Sequence, residues 1–64
     1  MIVKLTNAVK GFEDKKFLLN TDVIISIYEG VTEEGTPTTF VYGQNDKTWQ
    51  IKESVIQVEK LLKL

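Results

Sequence analysis

The chain has no cysteine, no histidine and no arginine, and only one proline among its 64 residues. Without cysteine it can form neither a disulfide nor a thiolate zinc site. Without cysteine and histidine it lacks the nucleophile–base pairs that most hydrolases use. Without arginine it lacks the rigid fork that recognises phosphate and guanine. The composition therefore favours a non-enzymatic protein, and we expect no cofactor, no metal and no catalytic residue.

The remaining composition is that of an ordinary globular protein. Hydrophobic residues make up 42% of the chain, charged residues 27%, and the formal net charge is −1, which is not the profile of disorder. No apolar stretch approaches the roughly 20 residues that cross a bilayer. The opening residues 1–5 lack the basic and apolar segments of a signal peptide. We therefore expect one domain, residues 1–64, located in the cytoplasm and not inserted into a membrane.

Short segments predict five strands: three of them alternate in polarity, because side chains of a strand point to opposite faces in turn. Val23–Tyr28 is rich in β-branched residues, and Phe17–Leu19 is a brief apolar run. The segments are Ile2–Thr6, Phe17–Leu19, Val23–Tyr28, Thr38–Tyr42 and Thr48–Lys52. Asn20–Asp22 is expected to break the chain between the second and third strands. Alternatively, it forms only a bulge within one bent strand, Phe17–Ile27. The connections are too short for parallel crossovers, so the strands should be antiparallel.

The alternation also assigns faces. Val23, Ile25 and Ile27 should face the core, which leaves Ile24 and Tyr28 on the second face. In the last hairpin, Gly43–Lys47 is expected to turn the chain, since Asn and Asp tolerate positive φ. Trp49 and Ile51 should point inward, and Trp49 is expected to pack with Phe40 against the helix.

One helix, Ser54–Lys63, is predicted at the end of the sequence. Ser54 followed by Gln57 forms a capping box, in which two side chains satisfy backbone N–H groups at a helix start. The apolar stripe consists of Val55, Val58, Leu61 and Leu62. Ile56 lies off this stripe, and the sequence leaves open whether it is simply exposed or covered by a partner. The predicted class is α+β: a small antiparallel β-meander of about five strands, strongly twisted or barrel-like, with one C-terminal α-helix.

A core of this size seldom supplies more than about 3–5 kcal/mol of stability. With disulfides excluded, we expect help from a second chain and predict a homo-oligomer that also binds an unidentified protein. The expected interface is formed by Ile24, Tyr28, Tyr42 and Ile56. A second hypothesis is a nucleic-acid-binding regulator that uses Trp49, Tyr42, Lys47 and Lys52. The acidic sequence pI, near 5.3, argues against that hypothesis.

Three blocks of the sequence resemble a known family. These are Ile2–Thr6, Phe17–Ile27 (FLLNTDVIISI) and Ile51–Val58 (IKESVIQV). They are similar to the "I-x-L-T", "G-x-x-F-x-L-N-x-D-x-I-x-x-I" and "V-K-E-S-V-x-x-V" blocks of the flagellar FlbD-type and swarming-motility SwrD-type proteins. The similar blocks occur in the same order as in the family and are spread over nearly the whole chain. It implies a non-enzymatic accessory protein of bacterial motility, with no catalytic residue to transfer. A phage-encoded accessory protein of the same plan is the alternative.

Overall fold

The computed structural model describes all residues, 1–64. Five strands are followed by one helix, which confirms an α+β chain with antiparallel strands and a C-terminal helix. The strands are β1 (Ile2–Thr6), β2 (Lys16–Asn20), β3 (Ile24–Val31), β4 (Pro37–Gly43) and β5 (Thr48–Ile51), and the helix α1 spans Val55–Leu62. A 3₁₀ turn, Thr21–Val23, separates β2 from β3, so a single bent strand over Phe17–Ile27 is wrong.

The strands form two sheets rather than one. β1 pairs with β2, and β3, β4 and β5 form a three-stranded meander in that order. A single antiparallel bridge, Asn7 to Ile51, joins β1 to β5. The Lys52 N–H, which donates to the Thr6 carbonyl at 3.0 Å, supports this bridge. The sheets do not close on themselves, so the expected strongly twisted or barrel-like arrangement is not supported.

The core lies between the two sheets and α1. It consists of six buried apolar side chains: Val3, Leu5, Leu19, Val41, Ile51 and Val58. Val3 and Leu5 alternate with the exposed Ile2 and Lys4, as the period of two predicts, whereas Thr6 at the end of β1 is buried as well. Only nine of the 64 residues are buried. Such a small buried set leaves many large apolar side chains in contact with solvent.

The two faces of β4 carry different side chains. Thr39 and Val41 are buried, whereas Phe40 and Tyr42 point to the other face. Val41 pairs with Trp49, so both lie on the core side. Phe40 therefore does not pack with Trp49, and that prediction was wrong. The alternation in β4 was correct, but it does not by itself say which face meets the core.

β3 departs from simple alternation near its start. The register with β4 shifts between Ile24 and Ser26, which marks a β-bulge. Because a bulge adds one residue to the strand, it places neighbouring side chains on the same side. Ile24 consequently packs against the core, whereas Ile25 is 70% exposed. The prediction that Ile25 lies in the core and Ile24 on the second face was wrong.

The third strand is also longer than predicted. It continues through Val31 rather than ending at Tyr28, and the connection to β4 is only Thr32–Thr36. The Thr32 N–H donates to the Thr36 carbonyl at 2.9 Å and closes this hairpin.

In the next hairpin, Asn45 and Asp46 both have positive φ, near 60°, which confirms the turn chemistry expected there.

The capping box at the start of α1 is confirmed. The Ser54 hydroxyl accepts from the Gln57 N–H at 3.1 Å, and the Gln57 side chain accepts from the Ser54 N–H at 2.7 Å. Lys63 ends the helix in the left-handed conformation. Of the predicted stripe, Val58 is buried and Leu62 packs against the core, while Leu61 is largely exposed. The helix is too short and polar to span a membrane.

A polar cluster ties the start of α1 to the first sheet. The Glu53 carboxylate accepts from the Thr6 N–H at 2.9 Å and from the Thr6 hydroxyl at 2.8 Å. The Lys16 ammonium donates to the same hydroxyl at 2.6 Å. Burial acts to raise the pKa of Glu53, but these hydrogen bonds outweigh it and hold the pKa below its ordinary value.

Candidate functional site

The outer face of the three-stranded sheet carries a row of three aromatic rings. The Tyr28 ring lies between those of Tyr42 and Phe40, with centroid separations of 5.4 Å and 5.6 Å. The rings are offset-stacked, at interplanar angles of 19° and 29°, which is a favourable geometry for aromatic pairs. We call these three residues the aromatic row. Tyr28 belongs to β3, so the row reaches the outermost strand of its sheet.

The two tyrosines of the row are joined at their hydroxyl groups. Their oxygens lie 2.7 Å apart, within hydrogen-bond distance. This hydrogen bond is the main reason that the pKa of Tyr28 lies above its ordinary value, and desolvation acts in the same direction. Both hydroxyls remain at the surface, so the row is apolar along its rings and polar at its rim.

The opposite side of β3 borders an apolar groove, which we call the β3–α1 groove. It has a volume of about 290 Å³. Seven of its nine lining residues are hydrophobic: Ile24, Ile25, Ile27, Val55, Val58, Leu62 and Leu64. Ile25 stands at its mouth and is 70% exposed. An apolar groove of this kind is a characteristic site of protein association.

The outer edge of β3 is unpaired, because β3 is the first strand of its sheet. Hydrogen-bonded and non-hydrogen-bonded pairs alternate along an antiparallel ladder. The bond from the Thr32 N–H to the Thr36 carbonyl fixes this alternation. Tyr28 therefore directs its backbone groups toward β4, whereas Ile27 and Glu29 direct theirs outward. The free edge thus offers backbone donors and acceptors at these two residues.

A hydrogen bond on the β5 side of the sheet gives the same alternation. The Gly43 N–H donates to the Lys47 carbonyl at 2.8 Å. Counting back along β4 from Gly43 in steps of two, Val41 also bonds to β5. Phe40, the residue before Val41 in the alternation, therefore bonds to β3, where its partner is Tyr28. Two independent hydrogen bonds therefore give the same assignment of which β3 residues face the open edge.

The outer edges of β2 and β3, neither of which forms a bridge to another strand, differ in their protection. β2 has five residues, begins with Lys16 and follows Lys15. Short length and lysine are common devices against unwanted edge pairing. β3 has eight residues and contains neither lysine nor proline. Its one charged residue is Glu29, so β3 is the less protected edge.

The structure brings together two of the four residues of the predicted interface. Tyr28 and Tyr42 stack on each other. Ile24 packs against the core on the other side of the sheet, and Ile56 is 63% exposed on α1. The four residues therefore do not form one continuous surface.

Sequence reasoning missed Ile25 and Val31, which are 70% and 64% exposed at opposite ends of β3. It also missed Phe40 as the third ring of the aromatic row. The sequence has no clear signal for Val31, because Glu29 and Gly30 interrupt the alternation after Tyr28. The exposure of Ile25 depends on the bulge, for which the sequence has no local marker.

The residues of the nucleic-acid hypothesis are likewise dispersed. Trp49 packs against the core and covers Gly43, where an added Cβ would lie 2.5 Å from the ring. Tyr42 lies on the opposite face of the sheet. The Lys52 ammonium pairs with the Asp14 carboxylate at 2.8 Å. These side chains do not form a single stacking surface.

Comparisons of the chain with protein-family models, with curated proteins and with solved structures found no match. The site must therefore be interpreted from its geometry. Its three parts are the aromatic row, the β3–α1 groove and the free edge between them, and all three share the single strand β3.

Proposed function

We propose that this chain is a small, non-enzymatic interaction module that works as a homo-oligomer in the cytoplasm. One observation carries the proposal: β3 is an eight-residue edge strand without lysine or proline that borders the apolar β3–α1 groove. Long, apolar, unprotected edges associate readily with other chains. The small core gives a reason for such association, since burial of the exposed apolar residues would add to stability.

The experiment compares two substitutions on the two sheet edges. Ile25→Lys places a charge on β3, and Leu18→Lys places one on β2. The two side chains are similarly exposed, at 70% and 66%, so neither change should disturb the core. We expect sedimentation to show wild type and Leu18→Lys as oligomers and Ile25→Lys as a monomer. Equal behaviour of the two variants would contradict the proposal.

In its specific form, the proposal assigns the module an accessory role in bacterial motility. The similarity of Phe17–Ile27 and Ile51–Val58 to flagellar FlbD-type and swarming SwrD-type blocks supports this form. A second, unidentified protein would then bind the assembled module. The alternative is a phage-encoded accessory protein. Neighbouring genes distinguish the two: a flagellar operon favours the motility role, and a phage gene cluster favours the alternative.

A further inference from the structure

The free edge of β3 separates two exposed apolar features. Tyr28 lies on the outer face, in the aromatic row, and Ile25 lies at the mouth of the β3–α1 groove. A partner docked on the outer face would cover only the aromatic row, and one docked on the helix side would cover only the groove. A strand added at the edge would reach both. The position of these features therefore favours pairing at the edge.

We propose that two copies of the chain pair through β3, edge to edge and antiparallel, so that Tyr28 of one copy lies opposite Tyr28 of the other. This inference rests on the proposed function and specifies its partner as a second copy. The result is a six-stranded sheet with a twofold axis perpendicular to it. Both aromatic rows then lie on one face, and both helices lie on the other.

The outward backbone groups determine which registers are available. Ile27 and Glu29 carry the free N–H and C=O groups, so they must form the hydrogen-bonded pairs. With the axis at Tyr28, Ile27 of each copy exchanges two hydrogen bonds with Glu29 of the other. This register uses β3 almost from end to end, because Tyr28 lies close to the middle of Ile24–Val31.

Charge and apolar matching favour the same register. An axis at Glu29 would place two carboxylates directly opposite each other, which is destabilising. An axis at Ile27 would place Val31 opposite Val23, which lies in the 3₁₀ turn outside β3, and so would shorten the paired length. With the axis at Tyr28, Ile25 lies opposite Val31, and both are exposed apolar side chains in the single chain. The Glu29 carboxylate meanwhile lies 3.4 Å from the Val55 N–H of its own α1.

Amide hydrogen exchange on the wild-type protein tests the pairing. At concentrations where the protein is oligomeric, the amides of Ile27 and Glu29 should be protected, and dilution to the monomer should remove that protection. The amides of Tyr28 and Gly30 bond to β4, so they should stay protected in both states. An oligomer in which Ile27 and Glu29 exchange freely would overturn edge pairing and leave the homo-oligomer standing. A monomer at every concentration would overturn both.

Cross-linking tests the register, and the absence of natural cysteine makes it specific. Two cysteines introduced by Tyr28→Cys would face each other in a non-hydrogen-bonded pair, with Cα atoms about 4.5 Å apart. We expect oxidation to give a covalent dimer. Tyr42→Cys is the matched control, because its two copies would lie about 20 Å apart, three strand spacings across the sheet and four residues along it, beyond the reach of a disulfide. Cross-linking of the control but not of Tyr28→Cys would overturn this register.

Discussion

The hydroxyl oxygens of Tyr28 and Tyr42 lie 2.7 Å apart across two strands of the sheet. Tyr28 lies on the edge strand β3 and Tyr42 on the central strand β4, two residues beyond the direct partner of Tyr28. The hydrogen bond therefore fixes the Tyr28 side chain against that of Tyr42 on the outer face of the sheet. It orders the aromatic side of the edge that we propose to be the interface.

The tyrosine pair gives a spectroscopic prediction. The hydrogen bond raises the pKa of Tyr28, so Tyr42→Phe should lower it toward its ordinary value. These are the only two tyrosines, and the tyrosinate absorbance of the variant therefore reports Tyr28 alone. We expect its titration to finish at lower pH than that of wild type. A titration ending at the same pH would contradict a shared hydrogen bond. Because the folded-state pKa of Tyr28 is raised above its ordinary value of 10.0, the hydrogen bond stabilises the fold fully below that value. This stabilisation is lost as the pH rises through the folded-state pKa.

Glu53 predicts a loss of stability in acid. The pKa of its carboxyl lies below 4.5, its ordinary value. Its stabilising contribution is therefore present above the unfolded-state pKa and is lost as the pH falls through the folded-state pKa. Glu53→Gln should cost about 1–2 kcal/mol at neutral pH, since a hydrogen-bonded charge is lost. Denaturant unfolding as a function of pH measures both effects.

The comparison variant for Glu53 is Asp22→Asn, in the turn before β3, because the Asp22 side chain makes no hydrogen bond in the structure. It should retain the acid sensitivity of wild type. If Glu53→Gln loses stability in acid as steeply as wild type, then the contact between Glu53 and Thr6 does not link the helix start to the first sheet.

The hydrogen bond that Ser54 accepts at the start of α1 should stabilise the helix. Ser54→Ala removes the hydroxyl that accepts from the Gln57 N–H, and should lower the free energy of unfolding by about 0.5–2 kcal/mol. Ser54→Thr retains an accepting hydroxyl and should lose much less. Thermal unfolding of the two variants at one protein concentration checks this. Equal losses would show that the capping hydrogen bond does not stabilise the helix.

Substitutions of two isoleucines should distinguish the core from the free edge of β3 by their effect on stability. Ile51 is fully buried on β5, and Ile25 is 70% exposed on β3. Ile51→Ala should cost about 2–5 kcal/mol, whereas Ile25→Ala should change the stability of the monomer by no more than about 0.5 kcal/mol. Unfolding must be measured at a concentration where the protein is monomeric. A large loss for Ile25→Ala under that condition would contradict the bulge at the start of β3.

Local features of the fold could be predicted from the sequence, because their causes are local. The capping box depends on Ser54 and Gln57 alone, and the last turn depends on the tolerance of Asn45 and Asp46 for positive φ. Alternation, β-branched content and one short apolar run located all five strands, because these are patterns of neighbouring residues. The exact strand ends and faces required more information.

The remaining features depend on how the strands assemble. The same alternation in β4 allows either Val41 or Phe40 to face the core, and packing against the first sheet and α1 decides for Val41. The bulge before Ser26 moves Ile24 inward, and only the register with β4 reveals it. The candidate site could be predicted in part: Tyr28 and Tyr42 were found, but the free edge that unites the site depends on sheet order.

The most direct test of the central claim is sedimentation equilibrium of the wild-type protein over a range of micromolar concentrations. Association through β3 predicts a species of twice the 7.3 kDa chain mass that dissociates on dilution, with a melting temperature that falls as the protein is diluted. A single species of 7.3 kDa at every concentration, with a constant melting temperature, would contradict it.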